Sequence, residues 1–453
     1  MSKKVQFTSK IGLIAATVGS AVGLGNIWRF PAEAQSNGGA AFLVIYILCV
    51  FMLGVPVMIA EFSVGRAGHS DAVGAFKNLN AGKGWWIVGG LAILASYMIL
   101  WFYMVVAGWT LEYLWQSIAG GLYEGISAAG NANAGFTAKM QEYIGTTWQP
   151  LINTFLMIGI NMAVLITGVQ KGIERLSNIL MPLLFVILVV FCIFAMTLPK
   201  AGEGLEFFLS PDFSKIDTDT ILNALGQAFF SLSLGMGILI TYAGYFPKTA
   251  RLGRTAVTVS MLDLLVAVLM GLIIFPAIMS FGLTGESTKG ATLVFVTLPE
   301  IFAQMPATQL WSALFFLLLL VAALTSTISI AEVSVRFMQD RFKMSRLRAV
   351  LAVLAPLLLF STLCSLSQGV LSDYRIFGLT FFDLLDTVAT NILLPVVAIG
   401  TCLYVGWGAP ATFLRDQLTN HGTIAARSYP VVAFIIKWLA PLLIACVLIS
   451  NFI

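Results

Sequence analysis

Eleven stretches of this chain are apolar for long enough to cross a bilayer, near residues 10–36, 40–66, 85–117, 149–168, 173–198, 221–246, 252–282, 309–338, 346–366, 377–406 and 428–452. About 20 apolar residues span the hydrocarbon layer as a helix, which satisfies its own backbone there. With 59% hydrophobic and 10% charged residues over 453 positions, the chain falls outside soluble composition. It reads as an all-α polytopic membrane protein, one integral membrane unit over residues 1–453. No cleavable signal peptide is evident, because the first stretch lacks a small-residue cleavage site and runs into a glycine-rich segment.

That segment is Gly19-Ser20-Ala21-Val22-Gly23-Leu24-Gly25-Asn26, followed by Ile27-Trp28-Arg29-Phe30-Pro31. Three glycines in seven positions weaken a helix, and a charge at membrane depth costs roughly 2.5–3.5 kcal/mol. Irregular backbone at that depth survives where it is buried in protein or lines a cavity. There its bare N–H groups suit a carboxylate and its bare C=O groups a cation. Glycines alone would equally suit a close helix-packing face; Asn26 and Arg29 tilt the balance towards a site.

A second interruption, Phe230-Ser231-Leu232-Ser233-Leu234-Gly235-Met236-Gly237, falls in the sixth stretch, five after the first. Broken helices 1 and 6 in corresponding positions point to two five-helix inverted repeats, with a site at the midplane. Spacing and hydropathy put the repeats at 10–198 (spans 1–5) and 221–406 (spans 6–10), with 428–452 as an additional eleventh helix. The eighth stretch carries Ala322-Ala323-Leu324-Thr325-Ser326-Thr327-Ile328-Ser329. One such hydroxyl usually bonds a carbonyl a turn earlier, but four in five positions also supply hard ligands for an alkali cation. Arg29, Glu61, Glu112, Asp263, Glu332, Asp383 and Asp386 are ionisable groups inside apolar stretches and are candidates by default. Asp263 lies deep in the seventh, where a cation is the natural partner of an ionised carboxylate. In the fifth, Gly172 and Pro182 favour either a static kink or a reversible unwinding.

Lys and Arg concentrate in alternate loops, among them Lys3, Lys4, Lys10, Lys171, Lys248, Arg251 and Arg346, placing the N-terminus in the cytoplasm. An odd number of spans puts the C-terminus on the outer side. The five cysteines are scattered through apolar stretches, and the two histidines fall in loops, so neither a disulfide framework nor a transition-metal cluster is in view. There is no phosphate-binding loop, metalloprotease helix or nucleophile turn, and isolated breaks replace the continuous polar stripe of a channel. An enzyme and a channel are both disfavoured.

These features resemble the neurotransmitter:sodium symporter family, specifically its bacterial amino-acid transporters with eleven spans. The resemblance is carried by Gly19 to Pro31 continuing to Asn37-Gly38-Gly39-Ala40-Ala41-Phe42, by Gly54-Val55-Pro56 with Glu61 and Gly65-Arg66, by the Gly172 to Pro182 spacing, by the sixth-span break and by Leu324-Thr325-Ser326. It implies two sodium sites: one from the Ala21 carbonyl, Asn26, Ser231, Asp263 and the substrate carboxylate, the other from the Gly19 and Val22 carbonyls with Ala322, Thr325 and Ser326. It implies that Leu24, Gly25 and Tyr103 bind the substrate carboxylate, and that Phe230, Ser231 and Ser326 meet its amine. Ile99, Tyr103, Phe230, Ser233, Met236 and Ile330 would form the side-chain pocket. Gly23 replaces the Asp of monoamine-transporting relatives, which makes a substrate without a carboxylate a poor fit. Arg29 with Asp386 would be an outer gate, Phe30 or Tyr103 with Phe230 a lid, and Lys4 with Asp340 an inner pair.

The resemblance thus implies a plasma-membrane symporter that couples sodium to import of hydrophobic L-amino acids, aliphatic and aromatic, by alternating access, with no organic cofactor or nucleic-acid partner. The alternative is a sodium-dependent sensor that binds without net transport. One departure is Asp263, where most of the family has Asn; with Ala267 a turn later, it leads us to expect chloride independence.

Overall fold

The computed structural model describes residues 6–79, 84–126, 132–282 and 290–451, and among these the architecture is all helical. Among the described residues nine helices are long and apolar enough to cross a membrane, from Ala40–Gly68 to Tyr429–Ser450. A tenth crossing is made by the pair Lys10–Ala21 and Gly25–Ser36, bent by 55° at the glycine-rich break. The sixth stretch is in two pieces, Thr218–Ser231 and Ile238–Ala243, each too short to span alone. Between them Ser233, Gly235 and Gly237 all have positive φ.

Most irregular turns have a local cause. Seven π-helical turns occur among the described residues, and six of them, Gly25–Arg29, Val50–Gly54, Leu293–Thr297, Thr387–Leu393, Tyr404–Gly408 and Ile435–Leu439, end two residues before a proline. A proline has no N–H to donate and its ring crowds the carbonyl four residues back, so the preceding turn widens. The seventh, Val169–Glu174, holds Gly172, where a Cβ would collide with the Val164 carbonyl. Pro182 sits inside the following helix, Arg175–Ala195.

Element order corresponds between the halves. The first and sixth spans are broken; short helices Ala72–Asn78 and Leu298–Ala303 precede the third and eighth; and those two are the longest, at 34 and 35 residues. At 1.5 Å per residue each is about 50 Å long, well beyond a 30 Å hydrocarbon layer, so both must tilt or project. The third and eighth pack along one another and flank the two breaks. The eleventh span is largely uncovered, with Val431, Phe434 and Leu442 facing outward as lipid-facing residues should.

Candidate functional site

The two breaks meet at the centre of the bundle. Asn26, fully buried, donates from Nδ2 to Ser231 Oγ at 2.8 Å, to Asp263 Oδ1 at 2.9 Å and to the Asp263 carbonyl at 3.2 Å. Ser231 Oγ donates to Asp263 Oδ2 at 2.6 Å. The Gly23 amide donates to Asn26 Oδ1 at 3.2 Å, which ties the side chain to its own unwound segment. Three spans thus converge on one carboxylate. Turning the Asn26 amide about χ2 would exchange donor for acceptor without steric cost, which is what a cation beside Asp263 requires.

A second group of oxygens lies against the same segment. Thr325 Oγ1 donates to the Val321 and Ala322 carbonyls, each at 3.1 Å, and Ser326 Oγ to the Val22 carbonyl at 3.4 Å. A Cβ on Gly19 would lie 3.3 Å from Thr325 Cβ, so the first and eighth spans touch here through glycine. Gly19, Val22, Ala322, Thr325 and Ser326 are therefore brought together, and Ala21 lines the cavity described next.

That cavity, of about 680 Å³, is floored by the first break and by Ser231, Ser233 and Ser326. Tyr103 Oη accepts from the Leu24 amide at 3.2 Å. A Cβ on Gly23 would sit 2.9 Å from Ser326 Oγ and 3.1 Å from Tyr103 Oη, so any side chain at 23 would fill the floor. Ile99, Phe230, Met236 and Ile330 form apolar walls, joined by Phe102, Val106, Trp109 and Phe382, which sequence reasoning missed. The missed three on the third span were legible: 99, 102, 103, 106 and 109 repeat at helical spacing, and Ile99 and Tyr103 already marked the face.

The sixth-span break is held from three sides. Glu61 Oε1 accepts from the Gly235 amide at 2.7 Å, Ser233 Oγ donates to the Ser20 carbonyl at 2.8 Å, and Gln227 Nε2 donates to the Gly25 carbonyl at 3.1 Å. Gly235 combines φ +80° with an ideal Cβ position that would strike the Leu394 carbonyl, so no other residue fits there.

At one end the cavity continues past Arg29 and Asp386 to Ser36 and Gln368. Arg29 pairs with Glu33 at 3.8 Å and lies over the Phe230 ring at 4.9 Å; among the described residues it makes no ion pair with Asp386. Phe30 is fully buried against Phe42, Tyr46 and Phe208 and does not line the cavity, whereas Tyr103 and Phe230 do. At the other end the bundle is sealed. Phe7 packs edge-on to Tyr242 and Tyr245, and Glu174 accepts from the Thr8 and Ser9 amides and hydroxyls at 2.7–3.1 Å. Asp340 accepts from the Ser70 hydroxyl, the Asp71 amide and Arg336. Lys4 lies outside the described residues.

A family model described as the sodium:neurotransmitter symporter family matches residues 4–125 and 135–453. An uncharacterized sodium-dependent transporter of Bacillus subtilis, YhdH, is 36% identical over 450 residues, covering 99% of this chain and 98% of the relative. The sodium- and chloride-dependent GABA transporter ine of Drosophila melanogaster is 26% identical over 89% of this chain and 46% of its own length. Among solved structures, that of MhsT in complex with L-phenylalanine superposes with a TM-score of 0.89 at 39% identity, covering 99% of this chain and all of that one.

Proposed function

The chain belongs to the sodium:neurotransmitter symporter family, a family of transporters whose members include sodium-dependent ones, and on that premise we propose that it imports hydrophobic L-amino acids by sodium symport. One observation carries this: a single cavity joins an apolar wall to a floor where the Leu24 amide and Tyr103 hydroxyl stand beside the Asn26–Ser231–Asp263 cluster. The floor would take the substrate carboxylate on Leu24, Gly25 and Tyr103, and the amine on oxygens of Phe230, Ser231 and Ser326. The carboxylate would then complete the shell of a sodium held by Ala21, Asn26, Ser231 and Asp263. Ion and substrate sharing one boundary makes each bind more tightly in the presence of the other. A second sodium fits the Gly19, Val22, Ala322, Thr325 and Ser326 group.

The walls of Ile99, Val106, Met236, Ile330 and the neighbouring rings suit aliphatic and aromatic side chains, and MhsT was crystallised with L-phenylalanine. In this reading residues 10–198 and 221–406 are inverted copies of one unit, which the matched breaks and matched longest helices support. The open end faces outward by the charge rule, in the plasma membrane, with the N-terminus cytoplasmic. Alternating access closes that end through Arg29, Asp386 and Phe230 and opens the other by parting the Phe7, Glu174 and Asp340 contacts, with Gly172 and Pro182 letting the fifth span unwind. The test is uptake of radiolabelled L-phenylalanine and L-leucine into liposomes carrying the purified protein. Accumulation with an inward sodium gradient and none with potassium is expected. Sodium-dependent binding without accumulation would replace symport with sensing.

A further inference from the structure

Glu112 plays no part in the central site, yet it is buried in the third span with only 6% of its surface exposed. Its Oε1 accepts from Gln116 Nε2 at 2.7 Å and Gln149 Nε2 at 2.6 Å, and its Oε2 from Asn153 Nδ2 at 2.8 Å. All three donors are neutral amides. Among the described residues Glu112 makes no ion pair, so the charge is solvated but not balanced.

Two cavities meet at this carboxylate. One, of about 220 Å³, is closed over by the helix Ala132–Gly145 and adds Lys139, Glu142 and Tyr143 to its lining. Lys139 lines this cavity, and its ammonium donates to the Gly121 carbonyl at 2.7 Å, while Glu142 adds further negative charge. The other, of about 530 Å³, opens on the outer surface of the bundle between the third and fourth spans. Its walls are Trp115, Trp148, Ile152 and Leu156, all at least half exposed. Trp148 begins the fourth span and Trp115 lies one turn beyond Glu112, so both stand where aromatic residues mark the membrane interface. An unbalanced carboxylate at headgroup depth, opening sideways into a groove with apolar walls, is complementary to a cation that arrives attached to hydrocarbon.

We propose that this groove holds a phospholipid whose headgroup ends in a primary ammonium, such as phosphatidylethanolamine, with the ammonium on Glu112 and an acyl chain along Ile152 and Leu156. A primary ammonium offers three N–H donors, whereas a choline headgroup offers none and cannot approach as closely. Tyr113, next to Glu112, packs on Phe295 at 4.9 Å, and Phe295 also meets Trp109 of the central cavity at 5.9 Å, so the lipid would abut the wall of the outer vestibule.

The full-length protein, stripped of lipid in detergent, is incubated with phosphatidylethanolamine or phosphatidylcholine of matched chains, and retained lipid is counted by native mass spectrometry. One ethanolamine lipid is expected to persist at roughly tenfold lower concentration than the choline lipid, the scale of a charge-assisted hydrogen bond. Glu112→Gln should abolish the preference. Should that variant fail to fold, Ile152→Trp, which fills the groove without touching the carboxylate, should lower retention of both lipids. Equal retention of the two lipids by the unaltered protein, a preference that survives Glu112→Gln, unchanged retention in Ile152→Trp, or complete displacement by soluble ethanolamine at millimolar concentration would each overturn the assignment.

Discussion

Removing one oxygen tests the proposed substrate pose most directly. Tyr103→Phe deletes the hydroxyl that accepts from the Leu24 amide at 3.2 Å and leaves the ring in the cavity wall. Without substrate the loss is one neutral hydrogen bond, about 0.5–1.5 kcal/mol, and water in the cavity can replace much of it. With substrate the hydroxyl would turn to donate to a carboxylate, a charge-assisted bond of about 1.5–3 kcal/mol. The Kd for L-phenylalanine at saturating sodium should therefore rise about 10- to 150-fold, while sodium affinity in the absence of substrate stays nearly constant. Scintillation-proximity binding measures the first, and sodium-dependent tryptophan fluorescence the second. A Kd within threefold of the unaltered protein, in a variant that still binds sodium, would show that the carboxylate does not sit on Tyr103 and would refute the pose.

Three further outcomes follow from other parts of the molecule. Uptake should proceed unchanged when gluconate replaces chloride, since Asp263 supplies a fixed negative charge beside the proposed sodium, and Asp263→Asn should lower sodium affinity by tenfold or more; a chloride requirement in the unaltered protein would contradict this. Gly12→Ala should mimic Glu174→Gln, because a Cβ at 12 collides with the Glu174 carboxylate that holds Thr8 and Ser9; both should raise labelling of cysteines introduced along the closed end, and unchanged labelling would disconnect that contact from gating. Asp71 lies in a loop where burial outweighs its bonds to Gly74, Arg341 and Ser70, raising its pKa above the usual carboxylate value. An acid raised on folding binds more protons folded than unfolded, so its ionisation costs stability as pH climbs through the folded pKa. Asp71→Asn, which keeps the helix cap, should gain in Tm relative to the unaltered protein between pH 4 and pH 7; a difference that is flat or shrinks with pH would count against it.

Much of this arrangement is legible in the sequence because bilayer physics leaves few options. Glycines and an asparagine in an apolar run announced the first break, and hydroxyls with glycines the second, since such backbone must find polar company. The partners that hold the breaks were harder to see. Glu61 stands out in the sequence as an ionisable group, but nothing local says that it reaches the Gly235 amide 174 positions away. Gln227 looks like an ordinary polar residue until the Gly25 carbonyl is placed beside it. Asn391 enters the cavity from the tenth span through a widened turn, Thr387–Leu393, whose register a straight-helix count misplaces, although Pro395 gives warning of it. The family resemblance pairs Arg29 with Asp386 across the bundle, while Glu33, four residues along its own helix, lies within reach.

That last pair has a consequence for efficiency. Arg29 and Glu33 are both partly exposed, and such an ion pair is worth under about 1 kcal/mol, so little holds Arg29 to Glu33. In the proposed cycle so weak a catch does not bar closure, and the ligand beneath Phe230 would tip it. A carrier holding sodium without amino acid would then stay open, and sodium would not leak inward uncoupled.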